Sequence, residues 1–205
     1  MTNERAEARF GDSRFGGSPP AGHLPPAMLV SGDIRLIAPD VTDAAELAAL
    51  ANDERVAATL RDYFPSPYSV DDALRWIDRV LEAQGPPCHW LIKRGGDVLG
   101  VMGVFVGEDV YRTNAELGYW VGHRYWGQGI ATAAVRAATG YAFGELGMAR
   151  CYATVFGGNA ASIRVLEKCG YRHEYTLPGV VVKLGRTLDE VCLGVRREAW
   201  PPLSG

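Results

Sequence analysis

Glu116-Leu-Gly-Tyr-Trp-Val-Gly-His-Arg-Tyr-Trp-Gly-Gln-Gly-Ile-Ala-Thr132 is the stretch that decides the fold of this chain. A short apolar strand runs into a glycine-punctuated turn and then straight into a helix. The strand ends near Val121. Gly127 and Gly129 let the backbone of the turn come close to a ligand, and Ile130 opens a helix whose free amides point back at the turn. A helix start with no acidic residue in its first turn suits an anion. At the other end of the stretch, strand alternation puts Glu116, Gly118 and Trp120 on one face. A carboxylate set among such apolar neighbours is expected to be desolvated and to suit acid–base work. The competing reading of Glu116 is an edge or ion-paired glutamate.

The surrounding chain supplies the rest of a domain. Residues 1–28 mix Arg, Gly, Ser and Pro with scattered apolar residues, and are expected to be a disordered tail before a domain spanning 29–200. Asp33 to Ala38 reads as a first strand. Asp43 and Glu46 look like the capping pair of a helix carrying Leu47, Leu50 and Ala51. After the proline-broken segment Tyr63 to Tyr68, Ser69 restarts a helix in which Leu74, Ile77 and Leu81 keep helical spacing. His89–Arg94 and Asp97–Val106 read as a hairpin around Gly95-Gly96, with Gly100 and Gly103 marking a bulge or a close approach. Ala115–Val121 is the next strand and Ile130 to about Leu146 the next helix. The strand Arg150–Phe156 and a helix capped by Asn159 follow. Tyr171–Thr176, Val180–Leu184 and Glu190–Val195 close the sheet. The order gives an α+β fold: a single mixed, mostly antiparallel central sheet of about seven strands flanked by helices.

Composition bounds the function. The chain has 205 residues, 47% hydrophobic and 22% charged, with a net charge of −3. That is ordinary globular usage, and it lacks the basic excess of a nucleic-acid surface. Four cysteines lie far apart with no paired spacing, so reduced, buried thiols are expected and no metal site is. No apolar run nears the ~20 residues that span a bilayer. A cytoplasmic protein with no membrane partner is expected, monomeric or homodimeric.

The turn needs a phosphate ligand, and two spacings can be tested. The Walker spacing G-x-x-x-x-G-K-[ST] is absent. A dinucleotide fingerprint G-x-G-x-x-G/A meets Thr132 at its last position and lacks the acidic residue about 20 positions on.

The run Trp126-Gly-Gln-Gly129-Ile-Ala131 resembles the Arg/Gln-x-x-Gly-x-Gly/Ala signature of the GNAT superfamily of N-acetyltransferases, with Trp126 in place of the first residue. A tryptophan there, within Tyr-Trp-Gly-Gln-Gly-Ile-Ala-Thr, is typical of the Rim-type branch, which acetylates ribosomal-protein N-termini. Downstream, Asn159-Ala-Ala-Ser162-Ile-Arg-Val-Leu-Glu-Lys-Cys-Gly-Tyr171 is similar to that branch's Asn-x-x-Ser…Gly-Phe/Tyr segment.

This resemblance, which runs from about Ile34 to Trp200, implies acetyl-CoA as cosubstrate, with its pyrophosphate on the amides of Gly127, Gln128, Gly129, Ile130, Ala131 and Thr132. It implies a pantetheine arm lying between the strands at 115–121 and 150–156, and a thioester carbonyl held by a backbone amide around Tyr119, Trp120 or Val121. Asn159 would touch the arm, Glu116 would act as base, and Ser162 would protonate the leaving thiolate or only contact the cofactor. The tyrosine acid common in the superfamily falls at Leu166 here. Tyr63, Phe64 and Tyr68 would cover the amine acceptor, or else pack as core. Acceptors left open are a peptide N-terminus and a small amine such as an antibiotic or polyamine. A rival from another class is a silent acyl-CoA sensor on the same fold.

Overall fold

Period-two strands and glycine turns build the sheet. In the computed structural model, which describes residues 28–83, 85–86 and 88–200, strands β1 (Met28–Ser31), β2 (Ile34–Ile37), β3 (His89–Arg94), β4 (Asp97–Val106), β5 (Asn114–Val121), β6 (Arg150–Phe156), β7 (Arg172–Lys183) and β8 (Arg186–Arg196) form one sheet. The strand order is β1-β2-β3-β4-β5-β6-β8-β7. Every neighbouring pair is antiparallel except β5 and β6.

Helices cover both faces. On one side, α1 (Ala44–Ala51), α2 (Glu54–Ala57) and α3 (Val70–Glu82) close an apolar cluster with Leu91, Val98, Val101 and Trp120. On the other, α4 (Ile130–Gly144) buries Ile130, Ala134, Val135 and Ala138 against Trp90, Met102, Leu117 and Val121, and α5 (Ala160–Lys168) adds Leu166. The small residues of α4 let it lie close to the sheet, since each alanine keeps the helix axis near the strands.

Several local expectations change. Met28 begins β1 rather than ending a tail, and residues 1–27 of the expected tail lie outside the described residues. The first capping box sits one turn earlier. Asp40 and Asp43 cap a 3₁₀ turn over Val41–Asp43, Asp43 also takes Lys93 Nζ at 2.6 Å, and Glu46 accepts from the Val98 amide at 3.0 Å. The Ser69 start is a true box with Asp72. Its helix buries Ala73, Trp76 and Ile77, while Leu81 is exposed. The two closing strands expected on either side of Pro178-Gly179 are one strand, β7. A register shift between Leu177 and Val181 absorbs the proline, which an edge strand tolerates.

Candidate functional site

The site exists because β5 and β6 pair for only three residues. Asn114, Ala115 and Glu116 face Arg150, Cys151 and Tyr152, and beyond that rung both strands run on without each other. Two bonds fix which amides face the opening: Gly107 N to Asn114 O at 2.8 Å and Gly122 N to Leu99 O at 2.9 Å. Alternation in the antiparallel β4–β5 ladder then gives Trp120's N–H to Val101 and turns those of Tyr119 and Val121 toward the split. Of this triplet, then, the amides of Tyr119 and Val121 face the split, and Trp120's belongs to the sheet.

The glycine turn stands at the end of the same strand. Gly127 and Gly129 have φ of 76° and 78°, a left-handed conformation that explains the residue type at both positions. Gly129 caps α4 without any side-chain bond, and no acidic residue occupies the helix's first turn. The amides of Ile130, Ala131 and Thr132 therefore lack a side-chain partner at a positive helix end. Trp126 pins the turn, its Nε1 donating to Val121 O at 2.6 Å while its ring meets His123 edge-on. Gln128 bridges loosely to Arg94 and to the Arg124 carbonyl.

Across the split, Asn159 caps α5 by accepting from Ser162 N at 3.1 Å, which leaves its Nδ2 group as the part able to reach a ligand. Ser162 Oγ lies 2.8 Å from the phenol of Tyr119. Burial, opposed in part by that hydrogen bond, pushes the Tyr119 phenol well above its ordinary range, so it stays protonated. The side chain of Tyr119 was not singled out in the sequence; only its amide was.

A cavity of about 360 Å³ at the split is lined by residues of the Thr59–Phe64 segment, β4, β5 and β6, and by Asn159 and Ser162 as well. Glu116 reaches it from β5, with its carboxylate accepting from Thr154 Oγ1 at 2.9 Å and standing 3.5 Å from Arg61 Nη2. The apolar, desolvated setting expected for Glu116 is thus replaced by a hydroxyl and a cation, with 29% of the side chain exposed. Tyr63 and Phe64 line the cavity. Tyr68 does not. It is buried among the α1–α3 core, its ring 4.9 Å from Phe64, and burial raises its phenol to about 12. Arg61, Tyr152 and Thr154 were missed by the sequence reading. Thr154 and Tyr152 share a face of β6 and were within reach of the alternation rule; Arg61 meets Glu116 from 55 positions away, which no local pattern signals.

The site is thus a sheet opened beside an uncapped helix start, with a carboxylate where the two strands separate. Comparison with known proteins gives the family. Residues 33–172, more than half of the chain, match the family described as Acetyltransferase (GNAT) domain, and the chain belongs to it. It is an acetyl-CoA-dependent N-acetyltransferase. Among curated relatives, Bacillus subtilis (strain 168) YdaF, whose name carries a provisional ribosomal N-acetyltransferase assignment, is 32% identical over 82% of this chain and 92% of its own length. Among solved structures, RimL, a ribosomal alpha-N-protein acetyltransferase in complex with coenzyme A, superposes with a TM-score of 0.74 at 19% identity, covering 85% of this chain and 99% of its own. The microcin self-immunity acetyltransferase MccE, in complex with acetyl-CoA and AMP, gives 0.69 at 22%, covering 84% and 98%. At these identities the two structures are alike in fold.

Among the described residues no group of three or more His, Cys, Asp or Glu could hold a metal ion, and no helix is long and apolar enough to cross a membrane.

Proposed function

We propose that the chain acetylates the α-amine of a protein or peptide N-terminus, in the manner of the Rim-type branch. The observation that carries this reading is Glu116, the single carboxylate lining the cavity among the described residues, on the last paired rung before β5 and β6 separate. An α-amine near pKa 7.7–8.0 is partly neutral already, whereas a lysine near 10.4 costs about 5 kcal/mol to deprotonate at pH 7. One modest base therefore suits an N-terminus. The names of YdaF and RimL support the same reading.

In the mechanism that follows, Gly127 to Thr132 grip the pyrophosphate of acetyl-CoA, and the Tyr119 or Val121 amide receives the thioester oxygen as it gains charge. The amine nitrogen attacks the carbonyl carbon while Glu116 takes its proton, directly or through water. The carbon–sulfur bond then breaks, and the thiolate takes a proton relayed through the Ser162 hydroxyl, which Tyr119 holds and to which water returns a proton. Attack is direct, within a ternary complex. No cysteine lines the cavity among the described residues, so no thiol is at hand to carry the acetyl group.

Thiol release measured against a library of peptides with free N-termini, aminoglycosides and polyamines tests this. Turnover of peptides is expected. Activity confined to the small amines would replace the peptide reading with the small-molecule one, and acetyl-CoA binding without any turnover would favour a sensor.

A further inference from the structure

Among the described residues lining the acceptor cavity, only Arg61 and Glu116 carry a full charge at neutral pH. They stand 3.5 Å apart. Aromatic rings, among them Tyr63, Phe64, Trp120 and Tyr152, supply much of the remaining wall, beside a few neutral polar groups. A cation and an anion side by side on an apolar wall complement a ligand that carries both charges close together on an apolar body.

Arg61 is also poorly used by the protein itself. A well-formed bond between guanidinium and carboxylate runs about 2.7–2.9 Å and is often bidentate. Arg61 contacts both partners through Nη2, at 3.5 Å to Glu116 and 3.3 Å to Thr154 Oγ1, so its planar fork is not closed on either. The segment that presents it is held firmly. The Arg61 carbonyl accepts from Phe64 N at 3.0 Å, Asp62 pairs with Lys183 at 2.7 Å, and the Phe64 ring stands edge-on to Trp120 at 5.8 Å. A fixed backbone with an unsaturated guanidinium, 34% exposed at the cavity wall, is arranged to receive an anion. Neutralising Glu116 alone would be served better by closing the pair to full contact.

We propose that Arg61 reads the acceptor: the preferred amine bears a carboxylate or comparable anion within a few bonds of its nitrogen, with the amine against Glu116 and the anion in the Arg61 fork. This rests on the acetyl-transfer reading and adds the acceptor's chemical class to it. The anion has two sources, the α-carboxylate of a free amino acid or the side chain of an acidic first residue in a peptide.

Two matched pairs of acceptors separate these sources: phenylalanine against phenylalaninamide, and short peptide amides beginning with glutamate against those beginning with glutamine. The amide of phenylalanine is the less basic amine, so intrinsic availability of the lone pair favours the neutral member and works against the proposal. Thiol release should nonetheless give the anionic member of one pair a kcat/KM roughly tenfold to a hundredfold higher, as expected for one charge-assisted contact. The pair that responds names the source. In Arg61→Gln the ratio should fall to one or below with acetyl-CoA affinity unchanged, and Arg61→Lys should keep part of it. Equal turnover of both members by the native protein overturns the proposal without any variant, and so does a ratio that survives in Arg61→Gln. If no amine of either pair is acetylated while other amines of the wider library are, the inference fails and the transfer reading stands; acetyl-CoA binding with no turnover anywhere in the library fails both.

Discussion

Replacing Gly100 with alanine should damage this protein more than its size suggests. A Cβ built on Gly100 would lie 2.1 Å from Trp120 O, 2.9 Å from Val121 Cα and 3.0 Å from Trp120 C. All three are backbone atoms, so no side-chain rotation relieves the overlap. Carbon and oxygen need more than 3 Å, so β4 and β5 must part by about 1 Å at this rung, where sheet strands normally sit about 4.8 Å apart. Overpacking of a well-filled interior costs about 1–3 kcal/mol, and the upper end applies when only backbone can yield. In a domain of this length that amounts to a Tm loss of roughly 6–12 °C. The displaced segment is also the one whose Tyr119 and Val121 amides face the β5–β6 split, so acetyl-CoA affinity should fall along with stability. Gly96, in the same hairpin, meets nothing within 4 Å, and Gly96→Ala is the control expected to stay within about 0.5 kcal/mol of the native protein. Urea unfolding followed by fluorescence gives the stabilities, and titration calorimetry gives the affinity. A Gly100→Ala protein as stable as Gly96→Ala, binding acetyl-CoA normally, would refute the close-approach reasoning.

Three further outcomes are expected. Tyr119→Phe removes the phenol held 2.8 Å from Ser162 Oγ and should lower kcat roughly tenfold to a hundredfold with little change in acetyl-CoA affinity; Ser162→Ala should add little to it, because the two hydroxyls act as one unit. His89 is buried near Arg79, and desolvation first, then that charge, lowers its pKa from 6.5 to about 4; its Nε2 has no hydrogen-bond partner among the described residues. The imidazole is neutral in both states above pH 6.5, and between 6.5 and 4 the unfolded chain alone takes up a proton. Stability should therefore fall as pH drops through that window, by up to about 3 kcal/mol from this group, and the slope should flatten in His89→Phe when Tm is followed against pH. For the pair between Asp62 and Lys183, the lysine side chain is 8% exposed and the aspartate 76%. Asp62→Ala strands a buried ammonium, so it should destabilise more than Lys183→Met in urea titrations; the reverse order would show that the pair is held by something other than the lysine's burial.

Much of the architecture was legible because it rests on local chemistry. The glycines at 127 and 129 had to be glycines for their left-handed backbone, the hairpin around Gly95-Gly96 followed from its turn, and Ser69 with Asp72 formed the expected box. What escaped was set by partners distant in sequence. Met28–Ser31 becomes a strand by pairing with Ile34–Ile37, and a Gly32-Asp33 turn between two apolar runs was the signal for it. Asp43 was drawn away from α1 by Lys93 and by the Asp40 amide, so the cap fell one turn early. Pro178 and Gly179 were read as a break, yet an edge strand carried them through on a bulge. At the site, Glu116 and the glycine turn could be found from one continuous stretch. Arg61 and Thr154 could not, since only the folded sheet brings positions 61, 116 and 154 together.

The central proposal is a division of labour along one stretch, with Gly127 to Thr132 holding acetyl-CoA and Glu116 acting on the amine. The most direct measurement is a paired one on native protein and Glu116→Gln: acetyl-CoA affinity by calorimetry and acetyl transfer to a responsive amine by thiol release. The expected result is an unchanged Kd with kcat/KM lowered roughly a hundredfold or more at neutral pH, recovering in part as pH rises and the amine loses its proton unaided. Full turnover in Glu116→Gln with native affinity would contradict it.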